Sequence, residues 1–169
     1  GQYYSADEIV VPPTVEYENT TYKVTSLGYR AFAIALQTTS ITLPEGLETI
    51  EPYAIYNTGI TQLTIPSTVT SLGDHSVYEN KKLTKVNILA NIETIPQSCF
   101  DSSAITEINF PESLKTIGEY AFKSCALREV TMPASLRKID KQAFYLCKSL
   151  EHVTLNEGLE SIGGGAFED

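Results

Sequence analysis

Residues Ile105 to Ala126 read ITEINFPESLKTIGEYAFKSCA, and units like this one recur along most of the chain. The next 22 residues repeat it as LREVTMPASLRKIDKQAFYLCK, and the preceding unit, LTKVNILANIETIPQSCFDSSA, keeps the apolar frame but lacks the proline. Repetition at a period of about 20 to 50 residues is the sequence signature of a solenoid. The chain is therefore predicted to fold as a stack of similar coils.

Apolar residues recur in columns spaced 22 or 23 positions apart. One column holds Phe32, Ile55, Val77, Phe100, Phe122, Phe144 and Phe167. A single unit cannot bury its apolar side chains, whereas stacked units turn each column into a continuous buried ladder. Within a unit, the alternation in E-I-N-F predicts a strand with one buried face. The segment G-E-Y-A-F-K-S-C predicts a short helical or 3-10 turn.

The start of the chain departs from the repeat. Residues 1–37 are predicted to form an N-terminal capping hairpin and a first, degenerate repeat, because VEYENTTYK has no counterpart later and alternates like a small hairpin. Residues 38–169 are predicted to form an array of about six repeats, the last one truncated. We expect this array to be cut from a longer one, and the alternative is that a partner covers its last coil. An uncapped last coil would favour end-to-end association.

Composition excludes several functional classes. The 169 residues carry a formal net charge of −9, and this argues against nucleic-acid binding, which needs clustered Lys and Arg. No apolar run approaches the roughly 20 residues of a membrane span, so no membrane insertion is predicted. Asp74-His75-Ser76 contains the letters of a catalytic triad, but adjacent side chains in an extended segment diverge. The sequence predicts no enzyme activity, metal site or cofactor.

Three cysteines occupy repeat positions. Cys125 and Cys147 fill the same small-residue slot in consecutive units, and Cys99 is the third. If the coils stack like paired strands, their backbones lie roughly 5 Å apart, within reach of a disulfide. Two outcomes are therefore open, buried free thiols or a Cys125–Cys147 bridge.

The string I-x-I-P-x-x-L-x-x-I-G-x-x-A-F-x-x-C resembles the BspA-type leucine-rich repeat, over about Ile9 to Phe167. The segments Asn156–Gly163 and Phe110–Gly118 are especially similar to its consensus. This resemblance implies a right-handed leucine-rich-repeat solenoid with a parallel sheet along its concave side. It also implies a cell-surface or secreted bacterial protein that adheres to host or microbial partners.

Two surfaces are candidates for binding. Residues that flank the buried strand residue should point outward on the concave sheet. They form two columns: Ser40, Gln62, Lys85, Glu107, Glu129 and His152, and Thr42, Thr64, Asn87, Asn109, Thr131 and Thr154. An alternative aromatic face lies around the phenylalanine slot and comprises Tyr29, Tyr53, Tyr56, Tyr78, Tyr120 and Tyr145. The two columns could equally be solvated strand filler, and the tyrosines could simply cover the edge of the core.

The favoured function is a non-enzymatic adhesion module that recognises a protein or glycan through the solenoid surface. The alternative is a structural spacer within a larger surface protein. The rest of the gene would discriminate between them, because a distinct attached domain favours the spacer.

Overall fold

The computed structural model describes residues 6–169, and within them the chain forms short strands joined by turns. The strands are Glu8–Val10 (β1), Thr14–Tyr17 (β2), Thr20–Lys23 (β3), Ser26–Leu27 (β4), Ser40–Thr42 (β5), Thr49–Ile50 (β6), Gln62–Ile65 (β7), Ser71–Leu72 (β8), Lys85–Ile88 (β9), Thr94–Ile95 (β10), Glu107–Asn109 (β11), Thr116–Ile117 (β12), Glu129–Thr131 (β13), Lys138–Ile139 (β14), His152–Thr154 (β15) and Ser161–Ile162 (β16).

The strands form two sets of parallel ladders, because each repeat contributes two extended segments. The first set comprises β1–β5, β7–β9–β11 and β13–β15, and the second comprises β4–β6–β8 and β10–β12–β14–β16. The register follows the repeat, so that Ile95, Ile117, Ile139 and Ile162 lie side by side in successive strands. The columns of the sequence are therefore columns in space, and the chain is a β-solenoid of about six turns.

The core is a stack of apolar side chains along the solenoid axis. The Phe100, Phe122 and Phe144 rings are almost completely buried. Successive rings in this stack are nearly parallel, with centroids 5.3 Å and 5.2 Å apart, and Phe167 continues the stack at 5.2 Å. Such spacing is close to the distance between paired strands, which explains why one aromatic residue per unit packs on the next.

The turn after each second strand is not helical, and the expectation of short helical or 3-10 turns was wrong. The Ala121 and Lys123 N–H groups donate to the carbonyls three residues earlier, whereas those of Phe122 and Ser124 donate to the next coil. Tyr120 (φ 58°) and Ser124 (φ 55°) adopt left-handed backbone conformations. A helix needs uninterrupted negative φ and internal hydrogen bonds, so the segment forms successive turns that hold the neighbouring coil.

Left-handed residues recur in two columns of these turns. Two positions before the phenylalanine slot they are Arg30, Tyr53, His75, Ser98, Tyr120, Gln142 and Gly165; two positions after it they are Ile34, Asn57, Glu79, Ser102, Ser124 and Leu146. A non-glycine residue in this conformation costs on the order of 1–3 kcal/mol. The hydrogen bonds between coils offset that cost. Gly165, Asn57 and His75 are of residue types that favour this conformation, whereas most members of the two columns are not.

The small-residue slot forms a buried column of hydrogen bonds between coils. The Cys125 thiol contacts the Phe100 carbonyl at 3.2 Å, and the Cys147 thiol contacts the Phe122 carbonyl at 3.0 Å. Ser103 and Asn80 make the equivalent bonds one and two coils before Cys125. All three cysteines are free and buried, so no bridge joins Cys125 and Cys147. Burial raises the pKa of Cys99 and of Cys147 to about 12.

Strands β2 and β3 form an antiparallel hairpin inserted between the two strands of the first coil. Its tip residues Glu18 and Asn19 both have positive φ, as a tight two-residue hairpin turn requires. Every residue of the two strands is exposed, and within residues 6–169 the hairpin pairs with no other strand. The capping role and the domain boundary at residue 37 therefore stay predictions.

Candidate functional site

The first set of ladders places the predicted concave residues in two neighbouring columns. The register brings Gln62, Lys85 and Glu107 side by side, and Glu129 beside His152. Eleven of the twelve predicted residues are exposed, and Ser40 is half-buried. Between them, residues such as Val86 and Val130 are buried and anchor the strands. The face is accessible along its length, and its role in binding stays a prediction.

Charged side chains concentrate at the C-terminal half of this face. Shallow grooves run between the strands there, one lined by Lys85, Glu107 and Glu129 and the other by Arg128, Glu129 and His152, among others. The first two positions of each column, Ser40, Gln62, Thr42 and Thr64, carry only hydroxyl and amide groups. None of the twelve positions holds Phe, Tyr or Trp, so this face lacks the large aromatic side chains that are enriched among the residues dominating interface energies.

Four of the six predicted tyrosines come together on the turn side of the solenoid. Tyr29 meets Tyr53 edge to face at 6.1 Å, and Tyr53 meets Tyr56 edge to face at 5.8 Å. Tyr56 then stacks on Tyr78 of the next coil, with centroids 5.6 Å apart and planes 11° apart. Consecutive coils therefore assemble a contiguous group of rings that no single repeat contains.

Two residues outside the predicted set complete this group. The His75 imidazole stacks on Tyr53 at 4.7 Å and meets Tyr78 edge to face at 5.4 Å. The Arg30 guanidinium lies 5.4 Å from the Tyr29 ring centroid and 5.5 Å from that of Tyr53, within the range of cation–π attraction. We refer to these six residues, Tyr29, Arg30, Tyr53, Tyr56, His75 and Tyr78, as the aromatic cluster.

Counting from the phenylalanine slot could have found both additions. Arg30, Tyr53 and His75 all lie two positions before that slot, whereas Tyr29 lies three before it. Tyr29 therefore lies one position outside the column of Tyr53 and Tyr120. His75 was considered in the sequence only as one letter of an apparent catalytic triad. In the structure the triad letters separate, because His75 packs on tyrosines and Ser76 contacts the buried Cys99 thiol at 3.3 Å.

The cluster is amphipathic and only partly buried. Tyr29 is 59 % exposed, and Tyr53, Tyr56, His75 and Tyr78 are half-buried. Burial raises the pKa of Tyr78 to about 12, and the neighbouring Glu79 carboxylate adds to this rise. The same two causes raise the pKa of Tyr56. Both phenols therefore stay protonated at any physiological pH and keep their hydroxyl groups as hydrogen-bond donors.

The remaining two predicted tyrosines lie apart from the cluster. In the coil that follows Tyr78, Ser98 occupies the column of Tyr53 and His75. Asp101 occupies the column of Tyr56 and Tyr78, so this coil adds no ring to the cluster. The Tyr120 hydroxyl donates to Gln142 Oε1 at 2.7 Å, and the Lys123 ammonium lies 5.2 Å from the Tyr120 ring centroid. Tyr145 follows in the column of Tyr56 and Tyr78. The predicted aromatic face therefore divides into an N-terminal cluster and two separate C-terminal tyrosines.

Two other kinds of site, a metal centre and a membrane-spanning helix, are absent from residues 6–169. No group of three or more His, Cys, Asp or Glu residues in this part of the chain could hold a metal ion. None of the described residues forms a helix long and apolar enough to cross a membrane.

Comparison with known proteins identifies the repeat. A family model described as the BspA type leucine rich repeat region matches residues 14–126 and 74–169, with six copies. The chain belongs to the BspA-type leucine-rich repeat family. A comparison with curated proteins gave no match.

Solved structures share the fold of this BspA-type chain at low sequence identity. A leucine-rich repeat protein from Eubacterium ventriosum matches with a TM-score of 0.80 and 23 % identity, over 96 % of this chain and 42 % of that protein. The pneumococcal vaccine antigen PcpA matches with a TM-score of 0.65 and 16 % identity, over 96 % of this chain and 58 % of PcpA. A leucine-rich repeat protein of T. pallidum matches with a TM-score of 0.61 and 18 % identity, over 95 % and 74 %. The chain thus spans less than half of the first of these structures.

Proposed function

We propose that this BspA-type repeat domain is a non-enzymatic, cell-surface or secreted binding module that recognises a host or microbial protein through the aromatic cluster. The observation that carries the proposal is the contiguous contact among Tyr29, Arg30, Tyr53, Tyr56, His75 and Tyr78. Membership of the family and the likeness of its fold to that of a vaccine antigen support a surface location.

The composition of the cluster favours a protein partner. Tyrosine and arginine are enriched among the few residues that dominate interface energies, because each joins a large contact area to polar groups. In this cluster much of the ring surface faces other rings, as in the stacked pairs Tyr53–His75 and Tyr56–Tyr78. A sugar that stacks on an open ring face has less surface to use here than a protein that packs on ring edges and pairs with hydroxyls.

The rigidity of the solenoid adds to this argument. The residues of the cluster lie in or next to turns whose N–H groups donate to the next coil. For example, the Ile55 N–H donates to the Ser76 carbonyl at 2.8 Å and the Asn57 N–H to the Tyr78 carbonyl at 2.9 Å. The rings are therefore held in place before a partner arrives, and binding loses less conformational entropy than with mobile side chains.

The test is binding of this domain to immobilised extracellular host proteins and to proteins of co-resident bacteria, followed by surface variants. The paired change Tyr53→Ala and Tyr56→Ala should weaken the interaction at least about tenfold, since central interface tyrosines commonly contribute 2 kcal/mol or more. Tyr120→Ala with Tyr145→Ala is the matched control and should leave the affinity within about twofold. Thermal melting of each variant checks that the fold is retained.

A second set of variants separates the two predicted faces. Lys85→Ala with Glu107→Ala and Glu129→Ala removes charge from the concave columns without touching the cluster. If this set abolishes binding while the Tyr53 and Tyr56 changes do not, the concave face is the site and the proposal is wrong. If none of the probed proteins binds, the domain is better described as a structural spacer.

A further inference from the structure

A trough separate from the aromatic cluster runs along the corner where the turns lead back to the first set of ladders. Four residues of one repeat column, four positions after the phenylalanine slot, lie along it: Lys81, Ala104, Ala126 and Lys148. Two alanines thus form the middle, and a lysine stands at either end. The trough has a volume of about 470 Å³, within the range of small-molecule sites in proteins.

Its electrostatic character is opposite to that of the whole chain. Asp and Glu outnumber Lys and Arg by 21 to 12, yet the residues that line the trough include two lysines and no carboxylate. Three coil spacings separate the two lysine backbones, roughly 14 Å in total. An extended lysine side chain reaches about 6 Å from its Cα, so both ammonium groups can approach one anion lying over the alanines.

Hydrogen-bond donors without partners surround the same position. The Gly59 and Ala104 N–H groups donate to the preceding coil at 3.2 Å, but the equivalent N–H of Ala126 makes no hydrogen bond within residues 6–169. The Ser124 and Ser149 hydroxyls likewise have no partner in that part of the chain, and both residues are exposed and line the trough. Such groups are free to bind oxygen atoms of a ligand.

We infer that this trough binds an anionic saccharide, with a carboxylate or sulfate group held between Lys81 and Lys148 and with sugar hydroxyls on Ser124, Ser149 and the Ala126 N–H. The lining contains neither an aromatic ring nor a deep apolar pocket, and these are the features that anchor peptide side chains. The inference is independent of the protein-binding proposal, because no residue of the aromatic cluster lines the trough.

The test is titration of the ¹⁵N-labelled domain with 3′-sialyllactose, a sulfated heparin disaccharide, neutral lactose and a hexaglutamate peptide. We expect one or both acidic saccharides to shift the amide signals of Ser124, Ala126 and Ser149, and lactose to leave them unchanged. Which of the two shifts them identifies a carboxylate or a sulfate ligand. Binding should weaken as NaCl is raised, because partly exposed charges are screened.

Matched lysine variants complete the experiment. Lys81→Gln and Lys148→Gln should each lower saccharide affinity about tenfold, the effect of losing one charge-assisted hydrogen bond. Lys82→Gln and Lys141→Gln change the net charge equally outside the trough and should have little effect. The inference is overturned if no saccharide shifts these signals, if only hexaglutamate does, if inorganic sulfate alone binds as well as the saccharides, or if the control variants weaken binding equally.

Discussion

Removing the buried Asn80 side chain should destabilise the solenoid more than removing any neighbouring member of its column. Asn80 is fully buried, and its Oδ1 accepts from the Thr58 N–H at 2.9 Å and from the Thr58 hydroxyl at 2.6 Å. Its Nδ2 donates to the Ile55 carbonyl at 2.7 Å and the Val77 carbonyl at 2.8 Å. Three of these four hydrogen bonds join the coil of Asn80 to the preceding coil, and the bond to Val77 lies within its own coil.

The magnitude follows from the groups that Asn80→Ala leaves without partners. The Val77 carbonyl keeps the Ser103 hydroxyl as a donor, and the Thr58 hydroxyl can rotate. The Thr58 N–H and the Ile55 carbonyl have no alternative partner among the described residues. Each unsatisfied buried group costs about 1–3 kcal/mol, so the two groups together should lower the free energy of unfolding by about 2–6 kcal/mol.

Ser103→Ala provides the matched control in the same column. Its hydroxyl donates to the Val77 carbonyl and accepts from the Asn80 N–H at 3.1 Å. Because Asn80 Nδ2 also donates to the Val77 carbonyl, this change leaves a single group, the Asn80 N–H, without a partner. The expected loss is about half that of Asn80→Ala. Asn87→Ala, on the exposed face of β9, should change the stability by no more than about 0.5 kcal/mol.

Urea denaturation gives the three free energies, and hydrogen exchange of the Thr58 amide gives the local effect. The second measurement matters because repeat arrays can unfold in parts rather than as one unit. Exchange at Thr58 should accelerate in Asn80→Ala and not in Asn87→Ala. If Asn80→Ala costs less than about 1 kcal/mol, or no more than Ser103→Ala, the buried amide does not join the coils as described.

Further predictions concern glycine, cysteine and the last coil. Gly118→Ala places a Cβ 2.9 Å from the Ile95 carbonyl oxygen, so urea denaturation should show a free energy of unfolding lower by about 1–3 kcal/mol. A Cβ at Gly28 meets no atom of a non-neighbouring residue within 4 Å, so the control Gly28→Ala should leave the stability nearly unchanged. Burial holds the pKa of Cys99 and Cys147 at about 12 in the folded state, against roughly 8.5 when unfolded. Their contribution to stability should therefore be complete below about pH 8.5 and decline towards pH 12. In urea denaturation between about pH 8 and 11, the free energy of unfolding should fall less steeply for a Cys99→Ala/Cys147→Ala variant than for the unmodified chain. An equally steep fall would refute the assignment. The last coil exposes three apolar side chains, Val153, Leu155 and Ile162, by 38–48 %. Any concentration-dependent association in sedimentation velocity should therefore be reduced by Ile162→Glu and unaffected by the control Glu129→Gln. An Ile162→Glu variant that associates equally would exclude this end-to-end contact.

The candidate site was predictable only in part. The outward position of Lys85 or Asn109 follows from strand alternation alone, so the concave columns could be written down in advance. The aromatic cluster depends on contacts between different columns of adjacent coils, such as Tyr29 with Tyr53. Arg30 falls in the column of Tyr53 and His75 only when positions are counted back from the phenylalanine slot. An error of one residue in that count hides Arg30.

The sequence by itself determined the period, the buried columns and hence the stacking of coils, because an apolar residue repeated every 22 or 23 positions can be buried only by its own copies in neighbouring units. Only the tertiary structure decided the conformation of the turns, since residues as different as Tyr120, Ser124 and Leu146 adopt the same left-handed backbone. That conformation arises from hydrogen bonds to the next coil, which no local propensity encodes. The same bonds place rings from three coils in one cluster, and so the surface proposed to bind a partner exists only in the assembled solenoid.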